Sequence, residues 1–390
     1  MVRPRAHPPR GRAVRSSVIV LVLVSMAFTA AALTAFIEKA GNDLLVETRQ
    51  ADAKRLRQEA FSALEVTLAV LEDFRQADSG LHSAAEGWSD PLGWAEWTPS
   101  EGRTVEVAFR DESGKIPLRH ADITTLTNLF LYWQMPPADA EKLADALEGW
   151  MQSGYVYTSA ITPNYDDAAI PYAEPERPMR SFGELAAVYY AKDVFFDENG
   201  LPNGLFWRLV NDLSIFNYSQ PNANGANEDV MASVGQYTDA QRQHIGDYLS
   251  GSGQFAQQGA NYFQNAGTLG AVAGLGGNAN VFGTTISALR INITVHDGRS
   301  QYRLSAVVAP QGGATLNMTN ATNPASAESA SSTNSPAKAS VTSTAQPSST
   351  ATGAQTAAAA SQSINYPFTI LEMLEDDEIP LQPPPVLPKT

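Results

Sequence analysis

The stretch SSVIVLVLVSMAFTAAALTAFI, from Ser16 to Ile37, runs 22 residues without a charged side chain. As an α-helix at about 1.5 Å per residue it would be ~33 Å long, enough to cross the hydrocarbon core of a bilayer. Five arginines precede it (Arg3, Arg5, Arg10, Arg12, Arg15), with no acid among them. That asymmetry keeps the short N-terminal flank in the cytoplasm and places the rest of the chain outside it. A cleaved export signal shares the basic start, and Ala30, Ala31 and Ala32 would suit its cleavage site. The apolar core of a signal ends after about 7–15 residues, however, and this one continues. Beyond it Leu44, Leu45, Leu56, Ala60, Leu64, Leu68 and Leu71 recur at three- and four-residue steps, with Arg55, Arg57, Gln58, Glu59 and Glu65 between them. This is helical periodicity. The pattern predicts a basic leader over 1–15, one retained transmembrane helix over 16–37, and its amphipathic continuation over 38–78.

The rest of the chain is acidic and lacks cysteine. The 390 residues hold 26 Lys and Arg against 41 Asp and Glu, for a net charge of −15, and the leader arginines leave the remainder more negative still. Such a surface repels the phosphate backbone, so no nucleic-acid partner is expected. Zero cysteines remove disulfides, thiol nucleophiles and the common zinc and iron–sulfur ligand sets. Five histidines are scattered at positions 7, 82, 120, 244 and 296. H-E-x-x-H, Walker A and G-x-S-x-G are all missing. The expectation is a protein that is not an enzyme.

Trp88, Trp94 and Trp97 sit among Pro91, Gly93 and Pro99, and are expected to close one side of a small core. In TVEVAFRDESGKIPL, Val105, Val107 and Phe109 alternate with polar neighbours as in a strand, and Asp111-Glu112-Ser113-Gly114 supplies a turn. The period then becomes helical from about 122 to 250. ITTLTNLFLYW, PPADAEKLADALEGWM, NGLFWRLVNDLSIF, NEDVMASV and YTDAQRQHIGDYL read as helices, as does RSFGELAAVYYAK, with Ser181 and Glu184 placed as a capping box. A loop rich in Tyr, Pro and Asp spans 154–180, and residues 251–283, rich in Gly and Asn, read as another. ISALRINITV and QYRLSAVVA flank Asp297-Gly298 as a tight hairpin. Residues 311–363 are almost wholly Ser, Thr, Ala, Asn, Gly, Pro and Gln, a linker composition. The segment 364–376, with YPFTILEML, is one further strand, and 377–390 is an acidic, Pro-rich tail. A lone strand gains stability only by pairing back onto the hairpin's sheet.

In this order the segments resemble the minor pseudopilin K family of bacterial type II secretion, the general secretion pathway protein K family. Arg15-Ser16-Ser17-Val18-Ile19-Val20 is similar to its R-G-S/A-x-L-I processing site, and FRDESGKIPL to its D-E-x-G-K-I-x-L strand-to-turn motif. LADALEGW, RSFGEL, Asn222-Ala223-Asn224-Gly225-Ala226 with Val230-Met231, and the closing FTILEML resemble further family segments. The resemblance implies an α+β fold: a long N-terminal membrane-spanning helix packed on a small antiparallel sheet (79–121 and 284–310), with a mostly helical domain (122–250) inserted between strands. It implies a structural subunit at the tip of a pseudopilus that supports protein export across the outer membrane. The body would lie in the periplasm, anchored by a single pass in the inner membrane. Implied partners are the other minor pseudopilins, the secretion machinery and a prepilin peptidase, which would cut between Ser16 and Ser17 and methylate the new N-terminus. The fifth residue after that cut is Leu21, where other pseudopilins carry a glutamate that receives a neighbour's terminal ammonium and type K proteins lack it.

Two departures stand out. Ser16 occupies the place of the family's glycine. The calcium loop that begins W-x-D-x-D in the family reads Trp150-Met151-Gln152-Ser153-Gly154 here, leaving only Asp166 and Asp167 nearby. Hard cations need several oxygen ligands. The expected cofactor set is therefore none, with calcium the single candidate. Asp197-Glu198-Asn199-Gly200 imitates part of an EF-hand loop but is framed by Phe195 and Phe206 at the outer ligand positions, so it reads as a polar turn. Acids are abundant, yet no spacing marks a pair for glycoside hydrolysis. The competing reading is a membrane-anchored extracytoplasmic enzyme or ligand-binding protein, which would need a pocket with converging polar groups.

Overall fold

A computed structural model describes residues 14–166, 171–274, 276–317 and 367–379, with side chains from residue 18 onward and without that of 377. Most of the leader, Asp167, the bulk of the linker and the end of the tail lie outside the described residues.

One helix, α1 (Val14–Asp78, 65 residues), carries both the apolar span and its amphipathic continuation without a break. Val18 through Ile37 expose their large side chains on every side, and no described part of the protein covers them. Burial begins at Leu56. From there Leu56, Ala60, Ala63, Leu64, Leu68 and Leu71 form a stripe at helical spacing, each at most 3% exposed. Leu44 and Leu45, expected on the same stripe, are exposed because the sheet does not reach that far.

Next come α2 (Pro91–Trp94), β1 (Arg103–Asp111) and β2 (Ile116–Pro117). The helical segments follow as α3 (Ile123–Tyr132), α4 (Pro137–Met151), α5 (Ala191–Phe195) and α6 (Gly204–Asp212), then the short β3 (Leu213–Ser214). After them stand α7 (Glu228–Val234), α8 (Asp239–Ser250) and α9 (Ala266–Ala273). The chain closes with β4 (Leu289–Asp297), β5 (Ser300–Pro310) and β6 (Phe368–Glu375).

The main sheet is antiparallel, in the order β1-β4-β5-β6. β1 and β4 are neighbours in space, yet residues 112–288 lie between them in sequence, so the helical domain is inserted at a strand junction. Period-two alternation decides the faces of the sheet. Leu289, Ile291, Ile293 and Val295 of β4, with Leu304, Ala306 and Val308 of β5, pack on α1. Val307 and Ala309 point the other way, onto Phe216, Tyr218, Ala288 and Ala314. The inserted domain has its own core around Leu126, Leu129, Phe130, Leu143, Leu147, Phe195 and Phe263, none of them exposed. Its helices begin at side-chain caps: Asp122, Asn203, Asn227 and Thr238 each accept a first-turn amide.

Phe368 pairs directly opposite Pro310, so the two strands meet as if joined by a hairpin although 57 residues separate them. β6 is held by more than its ladder. Arg57 of α1 makes a two-pronged ion pair with Glu375 (2.6 Å on each arm), and Arg290 of β4 reaches Glu372 at 2.8 Å. These contacts predict that a chain nicked within 318–366 keeps its C-terminal piece. The fragments should co-elute in native gel filtration and separate in denaturant; separation under native conditions would refute it.

Several expectations need correction. RSFGELAAVYYAK is not one helix but a 3-10 turn over 182–186 followed by α5, because Tyr190 takes a left-handed φ of 66°. The Ser181–Glu184 capping box does not form: the Glu184 carboxylate instead accepts from Trp150, Arg177 and the Arg180 amide. The helix in NGLFWRLVNDLSIF stops at Asp212 because Leu213–Ser214 pairs as a parallel strand with β2. The region 251–283 is not simply a loop; Asn265 caps α9, and Phe263, Leu269 and Phe282 join the inserted core, which carries that domain past 250. The linker begins later than residue 311, since Ala314 is buried and Thr315 bridges to Asn217. Among these tryptophans, Trp88 is fully buried and Trp97 partly so, but Trp94 is 63% exposed, with its ring beside Phe74.

Candidate functional site

Two segments that stand far apart in sequence, DESGK and NANG, meet where the sheet joins the inserted domain. The first is folded by its own side chains. Asp111 Oδ1 accepts from Ser113 N (2.8 Å) and Ser113 Oγ (2.6 Å), which closes the turn after β1. Glu112 and Lys115 pair at 2.5 Å, and Arg290 Nε donates to Glu112 at 2.6 Å. Burial alone would raise the Glu112 carboxyl, but the charges of Lys115 and Arg290 outweigh it and hold the group below the usual carboxylate range. Tyr218 Oη donates to the carbonyls of Glu112 and Lys115 (2.9 and 2.8 Å), clamping the turn to the chain after β3.

The second segment locks onto the first. Asn222 is fully buried; its amide N–H donates to the Ser113 carbonyl (2.7 Å) and its Nδ2 to Asp111 Oδ2 (2.6 Å) and the His82 carbonyl (3.2 Å). Asn224 accepts from Phe263 N and donates to the carbonyls of Phe263 and Thr284, tying in the chain that returns to β4. Gly114 and Gly225 face each other at the contact. A Cβ on Gly114 would lie under 3.0 Å from Gly225 backbone atoms, and one on Gly225 under 3.0 Å from the Asp111 side chain. Close approach, not left-handed backbone, is what requires glycine at both. Desolvation in this junction pushes the Asp111 carboxyl up to about 6 despite its hydrogen bonds from Ser113 and Asn222.

Beside the junction lies a cavity of about 340 Å³, lined by the apolar Trp88, Phe109, Ile286 and Leu289 and by the polar Arg110, Asn211, Asn224 and Asn227. His82 lines it too, but no hydrolytic triad is assembled among the described residues. Ser113 Oγ is engaged by Asp111 and Ser287 N, and His82 Nδ1 lies 2.6 Å from the Thr284 carbonyl.

A second cluster left no mark in the sequence. Nε1 of Trp133, the residue that ends α3, lies 3.1 Å from Asp212 Oδ2 and 3.0 Å from Asp229 Oδ2, bringing two carboxyl groups from α6 and α7 together. Arg208 binds Asp229 through two nitrogens (2.7 and 3.0 Å), and Asn227 Nδ2 donates to Asp212 at 2.6 Å. One cation thus faces two carboxyls. Burial, and then the neighbouring Asp229, push Asp212 up to about 8, while Arg208 keeps Asp229 below its ordinary value against the effect of burial.

Calcium, the single candidate cofactor, would have to sit in the loop after Trp150. Asp145 of α4 is fully buried, and its oxygens accept from Tyr155 Oη (2.6 Å), Thr158 N (2.9 Å), Ser159 N (2.7 Å) and Ser159 Oγ (2.6 Å). Gln152 donates to Glu148, and Ser153 Oγ to Glu176 at 2.7 Å. The loop therefore offers hydrogen-bond donors to carboxylates where a hard cation would need oxygens turned inward. Asp166 is exposed, and no three His, Asp or Glu converge among the described residues. Among the described residues the loop gathers no calcium site; Asp167 lies outside them, and Glu148 Oε1 is a buried oxygen there without a hydrogen-bond partner. Asp197 closes its turn by accepting from the amides of Asn199 and Leu201 (2.9 Å each). Ser16 and Ser17 fall in the first described turn of α1, far from both clusters.

No protein-family model and no curated protein matches the chain. Among solved structures, the chain is similar to one in the crystal structure of the GspK-GspI-GspJ complex from the enterotoxigenic Escherichia coli type 2 secretion system. The TM-score is 0.46 at 14% sequence identity, over 68% of this chain and 93% of that one.

Proposed function

We propose that this protein is a minor pseudopilin of a type II secretion system, a structural subunit that supports protein export and not an enzyme. The observation that carries this reading is the division of labour along α1. Its stretch 18–37 is apolar and uncovered by any described residue, and its stretch 56–71 is the spine of the sheet. With no described element over it, the uncovered stretch belongs in the inner membrane, the Arg-rich leader in the cytoplasm and the body in the periplasm. Helices of this kind associate by close packing within the bilayer, which supplies a route into a filament with other minor pseudopilins. The domain inserted between β1 and β4 adds bulk that a thin repeating filament has no room for, which favours the tip. Leu21 fits the same place, since it offers no acceptor to an incoming subunit's ammonium group.

On this reading a prepilin peptidase cuts between Ser16 and Ser17. The test is the intact mass of protein extracted from the membrane of its native host. Loss of residues 1–16 with one added methyl group is the expected result. An uncut chain, or a cut near Ala30–Ala32 that frees the body from the membrane, would overturn it.

A further inference from the structure

The cavity beside the lobe junction does not end at His82. That side chain also borders a second chamber of about 450 Å³, lined by Asp78, Ser79, Tyr262, Gln264, Asn265 and Thr285. The ring of His82 stacks on Tyr262 at 5.6 Å, and the two chambers adjoin along the His82 side chain. Their chemistry differs. The first combines apolar lining (Phe109, Ile286, Leu289) with Arg110. Arg110 makes no ion pair among the described residues; its one hydrogen bond is to the neutral Asn211 Oδ1, at 2.7 Å. An unpaired guanidinium at a cavity wall is unusual in a chain of net charge −15, where carboxylates are plentiful. Asp111, which also lines this chamber, does not serve Arg110, because its oxygens accept from Ser113 and Asn222. The second chamber is walled by amide and hydroxyl side chains and by Asp78, an acid without an ion-pair partner among the described residues.

We propose that the two chambers form one groove that binds an extended peptide of a partner protein. The peptide sets an acidic side chain against Arg110, an adjacent apolar side chain against Phe109 and Ile286, and its following backbone along the second chamber. An extended backbone presents N–H and C=O groups in series, which the Ser79, Gln264 and Asn265 side chains can meet. A compact metabolite would fill only one chamber. A guanidinium binds a carboxylate by charge-assisted hydrogen bonds, and the apolar wall gives the neighbouring side chain its affinity. The proposal does not rest on the filament reading and holds for any protein partner.

The test uses the full chain in detergent micelles and fluorescence anisotropy of labelled acetyl-Ala-Phe-Glu-Ala-Lys-amide. The Gln-for-Glu peptide is the comparison. The Glu peptide should bind about 10-fold tighter, with an advantage that shrinks at high salt. Arg110→Gln should erase that advantage, whereas Arg299→Gln, on the exposed hairpin turn, should keep it. Ala84→Trp, which fills the first chamber without removing a charge, should weaken both peptides, with an unchanged far-UV circular dichroism spectrum and denaturant midpoint as the check on folding. Equal affinity of the two peptides, or full binding by Arg110→Gln, would overturn the proposal. So would 3-phenylpropionate competing as strongly as the peptide itself, which would mark a small-carboxylate site.

Discussion

Replacing Gly114 by alanine should destabilise the protein by about 3 kcal/mol or more, although only one methyl group is added. The neighbour it would strike is backbone, the Gly225 peptide, and not the free end of a side chain. The clash is relieved only by moving the NANG segment away from the turn. That movement breaks the bonds of Asn222 to the Ser113 carbonyl and to Asp111, and leaves buried polar groups unpaired. Gly225→Ala should cost a similar amount by meeting Asp111. The double variant should cost clearly less than the sum, because lobes already parted by one methyl have room for the other. Gly204→Ala is the control: it opens α6 with nothing within 4 Å and an ordinary φ, and should be neutral or slightly stabilising. Denaturant midpoints of the full chain in detergent would decide the matter. Strict additivity would show that the two segments are not one interlocked unit.

How much of this was legible in the sequence depends on the range of the signal. The apolar span and its continuation are local patterns of many residues, and α1 follows them to Asp78. The hairpin is local too, with alternation on both sides of Asp297-Gly298. The return of β6 was legible by elimination, since one apolar strand beyond a linker has no other partner. The junction was half legible. DESGK and NANG each stood out as a segment, but nothing in the order of residues says that Asn222 reaches back 111 positions to Asp111. The Asp212–Asp229 cluster left no signal at all. Its members lie on three helices, and Trp133, which draws the carboxyls together, reads as an ordinary helix-end aromatic. α9 was missed for the opposite reason: its composition is that of a loop, and the helix is made by one Asn cap and the burial of Leu269.

The carboxyl pair gives the second large effect, and its sign is fixed by which state holds the proton. In the folded protein Asp212 is raised to about 8, chiefly by burial and then by Asp229, whereas in the unfolded chain it titrates near ~4. The folded state therefore binds a proton that the unfolded state has already released. Stability from this group is complete below the unfolded value and is lost as pH rises, up to about 8, where the folded group ionises. Above that, two carboxylates share one Trp133 N–H and one guanidinium, and Asp212 carries its charge at 1% exposure. Asp212→Asn replaces the shared proton by a permanent amide donor. Its oxygen can keep the bond from Asn227, its NH₂ can donate to Asp229, and Trp133 retains Asp229 as acceptor. At pH 8.5 this variant should be more stable than the parent by about 2 kcal/mol or more, and at pH 4.5 the two should nearly coincide. Glu148, raised to about 7, and Asp111, raised to about 6, both mainly by burial, also lose stability over this range. They do so equally in parent and variant, so the difference between the two curves isolates Asp212. Asp229→Asn should behave otherwise. It discards the ion pair with Arg208 and should destabilise at every pH, because a cation is then left facing a carboxyl that prefers to stay protonated. A difference curve for Asp212→Asn that stays flat from pH 4.5 to 8.5 would mean that the pair holds no proton.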